Sequence, residues 1–308
     1  SNQAGSSEAS TPSAPVMPVG LPQPPTIEVL TSYASRSVTV YFRPSPNNGG
    51  SPITSYTLFS NPSTSVVSGL TSPLNMTNLI NGVAYSFSMT AVNVIGASQP
   101  SAYSTSITPA GPPSAPIIKN VTAGGGKVTI AFSPPELNGG AVVRLYTATA
   151  SPGGITASAE SSPIVVTGLA NGQSYTFTMT ANNAAGTSVS SASSASVTPA
   201  DVPSSPTITN VDPGINSADV SFTSPNPNGS PIVSYTVLSN PDSIVGTGTK
   251  SPITVRGLKN GQTYTFTIFA TNGVGAGMAS GASKSVVPLA APPEPPARPS
   301  APIIGSAV

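Results

Sequence analysis

The side chains that could carry acid–base or nucleophilic chemistry are few in this chain. Its 308 residues include nine Asp and Glu, ten Lys and Arg, and no Cys, His or Trp. Without Cys and His, the usual zinc ligands, a Ser-His-Asp triad and a Cys nucleophile with an imidazole base are all excluded. Paired carboxylates remain as a catalytic device, since glycoside hydrolysis needs two acids held about 5 to 10 Å apart.

The carboxylates do not form such a pair in the sequence. Eight of them scatter over different parts of the chain and do not recur at equivalent places of the repeats described below: Glu28, Glu136, Glu160, Asp201, Asp212, Asp219, Asp242 and Glu294. Asp212 and Asp219 could meet across a turn, but two ligands are few for Ca²⁺. We therefore expect no catalytic site, no cofactor and no metal site.

Charge is sparse along the chain. Charged residues make up 6% of it, against roughly a quarter in an ordinary soluble domain. The net charge is +1, and the basic residues spread from Arg36 to Arg298 without a cluster. This distribution predicts no binding to nucleic acid or to an anionic membrane surface. No apolar run approaches the ~18 residues of a membrane helix, and weak self-repulsion is compatible with assembly.

One pattern occurs three times, about ninety residues apart. The sequence LINGVAYSF at 79–87 returns as LANGQSYTF at 169–177 and as LKNGQTYTF at 258–266. Phenylalanine holds matching places near the start of each unit, at Phe42, Phe132 and Phe222. Tyrosine does the same further along, at Tyr56, Tyr146 and Tyr235. The repeat predicts three units of one architecture.

Between these anchors, apolar and hydroxyl residues alternate, as in residues 37–42 and 264–268. Alternation with period two is typical of half-buried β-strands. Asn and Gly clusters at 47–50, 138–140 and 228–230 separate such runs and supply the positive φ of tight turns. No segment has helical periodicity. About seven short strands per unit indicate an all-β, immunoglobulin-like sandwich.

The units resemble bacterial fibronectin type III domains. The Leu-x5-Tyr spacing is similar to the family's tyrosine corner, which implies structural roles for Leu79, Tyr85, Leu169, Tyr175, Leu258 and Tyr264. An Asn-x-x-Gly motif follows at Asn93, Asn183 and Asn272, and each unit closes at Pro109, Pro199 or Pro288. The family usually places Trp where this chain has Phe42, Phe132 and Phe222, so the resemblance implies a repacked aromatic core.

The resemblance implies three tandem fibronectin type III β-sandwiches in an elongated rod. Their expected bounds are 24–110, 111–200 and 201–290, joined by short Pro-rich, semi-rigid linkers. A Pro/Ser-rich segment, 1–23, precedes them as a candidate exchanged strand. A Pro-rich segment, 291–308, follows them.

Both terminal segments contain strand-like sequences. Residues 299–304, with Pro302, Ile303 and Ile304, repeat the opening of the second unit at 113–118. A weaker echo at 12–17 contains Val16 and Met17. One reading is a longer array that was cut, or a tail without structure. The other is subunit exchange, in which an orphan strand adds to a sheet edge of another copy and builds a head-to-tail filament.

These features favour a non-catalytic, extracellular or cell-surface protein with a structural or adhesive role. We expect it to assemble into a fibre or surface layer by strand addition, with copies of itself or other surface proteins and glycans as partners. The start at Ser1 is read as a removed leader or a trimmed terminus. Two alternatives stay open: a spacer or accessory module of a secreted polysaccharide-degrading enzyme, and a phage virion fibre or decoration protein.

Overall fold

The computed structural model describes residues 3–32 and 34–292, and within them every regular element is a β-strand. The strands form six sheets, two for each of three sandwiches. The first sandwich contains β1 (Thr26–Thr31), β2 (Val38–Arg43), β3 (Ser55–Asn61), β4 (Val66–Gly69), β5 (Leu74–Met76) and β6 (Ser86–Val92). Its sheets have the orders β1-β2-β5 and β4-β3-β6, and all their pairs are antiparallel.

The second and third sandwiches repeat this arrangement. The second contains β7 (Ile117–Gly124), β8 (Lys127–Ser133), β9 (Leu145–Ser151), β10 (Thr156–Ala159), β11 (Ile164–Thr167), β12 (Thr176–Asn183) and the short β13 (Gly186–Thr187). The third contains β14 (Thr207–Gly214), β15 (Ser217–Thr223), β16 (Ile232–Asn240), β17 (Val245–Gly248), β18 (Ile253–Arg256) and β19 (Thr265–Asn272). Their sheets are β7-β8-β11 with β10-β9-β12-β13, and β14-β15-β18 with β17-β16-β19.

Each sandwich has its own hydrophobic core, because alternate residues of its strands face the opposite sheet. In β8, Val128, Ile130 and Phe132 are buried while the residues between them are partly exposed. Burying one such side chain contributes about 1.5–3 kcal/mol. The all-β sandwich class predicted from the alternation is confirmed.

An aromatic pair lies in each core. The ring centroids of Phe132 and Tyr146 are 4.7 Å apart and the rings are tilted by 52°, a spacing typical of favourable aromatic pairs. The same pairs occur as Phe42 with Tyr56 and as Phe222 with Tyr235. A second ring therefore contacts each phenylalanine at the place where the family usually has Trp.

The turn before β6, β12 and β19 is fastened by the tyrosine that ends it. The hydroxyl of Tyr85 accepts a hydrogen bond from the Ile80 N–H at 3.1 Å. Tyr175 and Tyr264 accept in the same way from Ala170 and Lys259. Leu79, Leu169 and Leu258 are buried in the same turns, and their N–H groups bond to the hairpin turn that joins the first two strands of each sandwich.

The last segment of each sandwich is not a ladder strand. About seven strands are expected in each unit, but in the first sandwich residues 98–107 follow the sixth strand and contact β6 at every third residue instead of forming a ladder. Residues 188–197 and 277–286 do the same beside β12 and β19. We call these three stretches the serine segments. A period of three is that of a polyproline II helix rather than of a pleated strand.

Candidate interaction surfaces

The residues singled out by the repeat motif lie inside the sandwiches. The three phenylalanines, the three leucines and the three corner tyrosines are all at most 6% exposed. Val16 and Met17 lie outside any strand and are 87% and 75% exposed. Pro302, Ile303 and Ile304 lie outside the described residues. The buried positions can hold the fold together, and they form no cleft for a ligand.

The carboxylates are dispersed over the described residues, which contain no group of three or more acids placed to hold a metal ion. Asp212 and Asp219 lie opposite each other on β14 and β15. Their side chains accept hydrogen bonds from Asn210 and Thr254, respectively. This arrangement satisfies the two carboxylates with neighbouring polar groups.

Asp242 is the acid with the most specific surroundings. Its Oδ2 accepts a hydrogen bond from the Tyr264 hydroxyl at 2.9 Å and lies 3.4 Å from the Lys259 ammonium. The Tyr264 hydrogen bond, followed by the charge of Lys259, lowers the pKa of Asp242 below its ordinary value. The contact fastens the turn of the third sandwich, and we assign it no chemical role.

The serine segments bond to their neighbouring strand in a repeated way. In the second sandwich, the Ser191 N–H donates to the Met179 carbonyl at 2.8 Å, and the Ser191 hydroxyl accepts the Met179 N–H at 2.9 Å. Ser188 and Ser194 make the same pair of bonds with Ala181 and Phe177. One serine therefore satisfies both backbone groups of every second residue of β12. We call β6, β12 and β19 the docking strands.

Sequence reasoning missed the serine segments because it searched for periods of two and 3.6. The available signal was a spacing of three, with Ser at 98, 101 and 104 and again at 188, 191 and 194. In the third sandwich, Gly277 replaces the first serine, and its N–H still donates to the Ala270 carbonyl.

In the first and second sandwiches, an open groove separates the serine segment from the first strand. In the second sandwich its volume is about 400 Å³, and residues 115–121 and 190–195 line it. A matching groove in the first sandwich is lined by residues 24–27 and 100–104. The first strand is an edge of one sheet, and the serine segment lies beside β6 or β12 of the opposite sheet. We call this feature the edge groove.

The linkers between sandwiches are bound to the domain that follows them. Asn183, which is 4% exposed, donates from Nδ2 to the carbonyls of Gly111 in the linker and Asn138 in the β8–β9 loop, at 2.8 and 2.7 Å. Its Oδ1 accepts the N–H groups of Ala185 and Gly186. Asn93 and Asn272 make equivalent contacts in the other sandwiches.

Glycines meet where two sandwiches join. A Cβ built on Gly140 would lie 2.3 Å from the Gly82 nitrogen, and one on Gly229 would lie 2.5 Å from the Gly172 nitrogen. The N–H groups of Gly82 and Gly172 donate to the carbonyls of Pro109 and Pro199 in the linkers. Both junctions are therefore built on backbone contacts that leave no room for a side chain.

These features define a chain of immunoglobulin-like sandwich modules with open edges and bound linkers. The model of the fibronectin type III domain matches residues 22–107 and 201–286, and the chain belongs to that family. Among solved structures, the FN1-FN3 domains of chicken CNTN1 are similar at 19% identity over 87% of this chain and 99% of that chain, with a TM-score of 0.34.

Domains of this family are generally non-catalytic and are typically extracellular adhesive or structural modules. The described residues include no helix that is long and apolar enough to cross a membrane.

Proposed function

We propose that this chain is a non-catalytic, extracellular structural or adhesive protein whose copies assemble by strand addition. The observation that carries the proposal is the edge groove, which recurs in the first and second sandwiches between the first strand and the serine segment. An unprotected edge offers backbone donors and acceptors to another chain.

The serine segments leave their outer side available for such a contact. Ser191 and Ser194 turn both their N–H groups and their hydroxyls toward β12, and Ala192, Ser193 and Ala195 are exposed. Ile117 on the facing strand is 50% exposed. An incoming strand would gain backbone hydrogen bonds along the edge and bury an apolar side chain against Ile117.

Charged side chains, which are a common barrier to edge pairing, are sparse in the groove. Natural edges are often protected by Lys or other charged side chains. Of the residues that line the groove of the second sandwich, Lys119 is the charged one. Residues 299–304 are the main candidate occupant, because their Pro-Ser-Ala-Pro-Ile-Ile sequence repeats residues 113–118, and residues 12–17 are the weaker candidate.

The edge itself can be tested by placing a charge in the groove. We expect Ile117→Lys to reduce self-association at least several-fold in sedimentation velocity runs over a concentration series, because it puts an ammonium where the added strand must lie. Leu145→Lys is the matched control, since Leu145 is 41% exposed on the central strand β9. Equal association of both variants and the parent chain would argue against the groove.

A spacer role is the second candidate, and the bound linkers favour it. Hydrogen bonds from Asn93, Asn183 and Asn272 hold each linker against the following sandwich, which suits a module that keeps other parts of a protein at a set distance. A catalytic domain encoded in the same reading frame would support this role over self-assembly.

A further inference from the structure

The N-terminal segment repeats the spacing of the serine segments. Residues 7–18 read SEASTPSAPVMP, and the three serine segments with their closing proline read SQPSAYSTSITP (98–109), SVSSASSASVTP (188–199) and GMASGASKSVVP (277–288). Ser7, Ser10 and Ser13 thus stand where Ser188, Ser191 and Ser194 stand, with no insertion. Val16 and Pro18 correspond to the apolar residue and the proline that close each segment.

The residues before Ser7 match the turn that precedes each serine segment. Gly5 lies two positions before Ser7, as Gly96, Gly186 and Gly275 lie two positions before residues 98, 188 and 277. Gly5 has φ of 128°, and the three turn glycines have φ of 150°, 141° and 156°. This region of φ favours glycine. Asn2, which lies outside the described residues, completes the Asn-x-x-Gly sequence.

The residues after Val16 are bound as a linker between two sandwiches would be. The Gly20 N–H donates to the Gly49 carbonyl at 2.8 Å, as Gly111 donates to Gly139 at 2.8 Å. The Asn93 amide holds the Gly20 carbonyl as Asn183 holds that of Gly111. The first sandwich therefore carries the same linker contacts as the second, although no sandwich precedes it in the described residues.

Residues 7–16 have no docking strand among the described residues. The three docking strands β6, β12 and β19 already carry their own serine segments. Val16 is 87% exposed, whereas Ile107, Val197 and Val286 at the same position pack against the hydrophobic cores. The atoms nearest to a Cβ on Gly50 belong to Pro18 and Val19, whereas at the equivalent Gly140 they belong to the turn of the preceding sandwich.

We propose that residues 5–18 are a fourth serine segment with its turn glycine, and that they complete a fibronectin type III sandwich that lacks this segment. The partner is a sandwich with a docking strand whose outer backbone groups are unpaired. Its N–H groups at the positions of Ala181, Met179 and Phe177 donate to the hydroxyls of Ser7, Ser10 and Ser13. This proposal goes beyond the proposed strand addition, because it places the N-terminal segment on a docking strand, which is a different edge from the edge groove.

In this proposal, the partner sandwich contacts the first sandwich in the same way as neighbouring sandwiches within the chain contact each other. In those junctions the turn glycine donates to the linker proline and lies against the loop glycine, as Gly82 does with Pro109 and Gly140. The Pro18 carbonyl and Gly50 occupy the corresponding places at the start of the first sandwich. The turn glycine of the partner sandwich therefore contacts Pro18 and Gly50.

A graft within the full chain tests whether residues 7–18 can replace a serine segment. The twelve residues 98–109 are replaced by the sequence of residues 7–18, and hydrogen exchange is followed at the amides of Phe87, Met89 and Ala91, which donate to serine hydroxyls. We expect protection of these amides within about tenfold of the parent chain and a melting shift below about 5 °C. A control graft carries Ala in place of the three serines and Asp in place of the valine, and should lose the protection. Loss of protection in both grafts would overturn the proposal.

A second arm tests binding between molecules. A chain ended at Ala276 lacks the serine segment of its third sandwich and leaves β19 uncovered, so the N-terminal segment of the next copy can fill it. We expect head-to-tail oligomers by light scattering, and monomers when Val16→Asp and Ser10→Ala are added. Monomers with fast exchange at Phe266 and Ile268 in both chains would overturn this binding. The arm omits residues 299–304, so its outcome is independent of assembly through that segment.

Discussion

Asn183 shows how one side chain can join three parts of the chain, two of which are far from it in sequence. Its amide contacts the linker, the β8–β9 loop and the turn after β12 through four hydrogen bonds. A buried amide that uses both its donors and its acceptor fixes its neighbours, because any rearrangement leaves polar groups unpaired. Asn93 and Asn272 have the same role in the other sandwiches.

Replacing this amide should loosen the linker. We expect Asn183→Ala to lower the free energy of unfolding of the second sandwich by about 2–3 kcal/mol in urea titrations, because the carbonyls and N–H groups it served are left buried. The linker at 111–114 should also become sensitive to protease. Asn182→Ala is the control, since its Nδ2 bonds to Thr187 at the surface, and it should change stability by less than about 0.5 kcal/mol. Equal effects of the two substitutions on stability and protease sensitivity would show that the Asn183 side chain does not fasten the linker.

Asp242 gives the third sandwich a dependence on acid pH. Its pKa is lowered in the folded state by the Tyr264 hydroxyl and by Lys259. This interaction therefore stabilises the fold above the unfolded pKa of about 3.9 and is lost as the pH falls through the folded pKa. In Asp242→Asn, the stability of the third sandwich should fall less between pH 6 and pH 2 than in the parent chain. An unchanged pH profile, or the same change in Asp212→Asn, would contradict this assignment.

At the scale of elements, the serine segment covers the edge of its docking strand without forming a regular β-ladder with it. Each serine returns its hydroxyl to the carbonyl of the next residue, as Ser191 does to Ala192 at 2.8 Å. The backbone therefore keeps a spacing of three while the docking strand keeps a spacing of two. The serine hydroxyl reconciles the two periods, since it accepts the N–H that a ladder strand would otherwise bond.

The role of the Ser191 hydroxyl can be tested by comparison with the exposed Ser193. Ser191→Ala removes the acceptor of the Met179 N–H, and we expect it to cost about 1–2 kcal/mol in chemical denaturation and to speed exchange of the Met179 amide. Ser193→Ala changes an exposed residue of the same segment and should stay within about 0.5 kcal/mol. Similar losses in both variants would contradict the role given to the hydroxyl.

The sequence predicts the elements whose periodicity is simple. Alternation in β8 and the recurrence of Leu, Tyr and Phe at 169, 175 and 177 are sufficient for the sandwich class, because apolar residues of a two-layer fold must face inward. The serine segments cannot be predicted in this way, because their side chains bond to the backbone and do not pack in the core. The contacts of Asn183 with Gly111 and Asn138 cannot be predicted in this way either, because those residues are 72 and 45 positions away in sequence.

At the scale of the whole molecule, two internal junctions are made in the same way. Gly82 lies against Gly140, and Gly172 lies against Gly229. Backbone-to-backbone contacts of this kind, together with bound linkers, restrict how neighbouring sandwiches can turn relative to each other. The relative placement of the sandwiches therefore depends on the absence of side chains at a few loop positions.

The first junction can be opened by one methyl group. Gly140→Ala should shift the small-angle scattering profile of the chain while each sandwich stays folded, because its Cβ would overlap Gly82. Gly168→Ala is the control, since Gly168 has a similar φ of 76° and nothing within 4 Å of a Cβ. Both changes carry the left-handed backbone cost of roughly 1–2 kcal/mol. An unchanged profile for Gly140→Ala would show that the glycine contact does not set the geometry.

Assembly by strand addition is the central claim, and electron microscopy tests it most directly. The full chain is imaged beside a chain ended at Ala290, which lacks residues 299–304 with Pro302, Ile303 and Ile304. The account predicts filaments or sheets from the full chain and separate particles from the shortened one. Separate particles from both chains would contradict the claim and leave the spacer role as the better account.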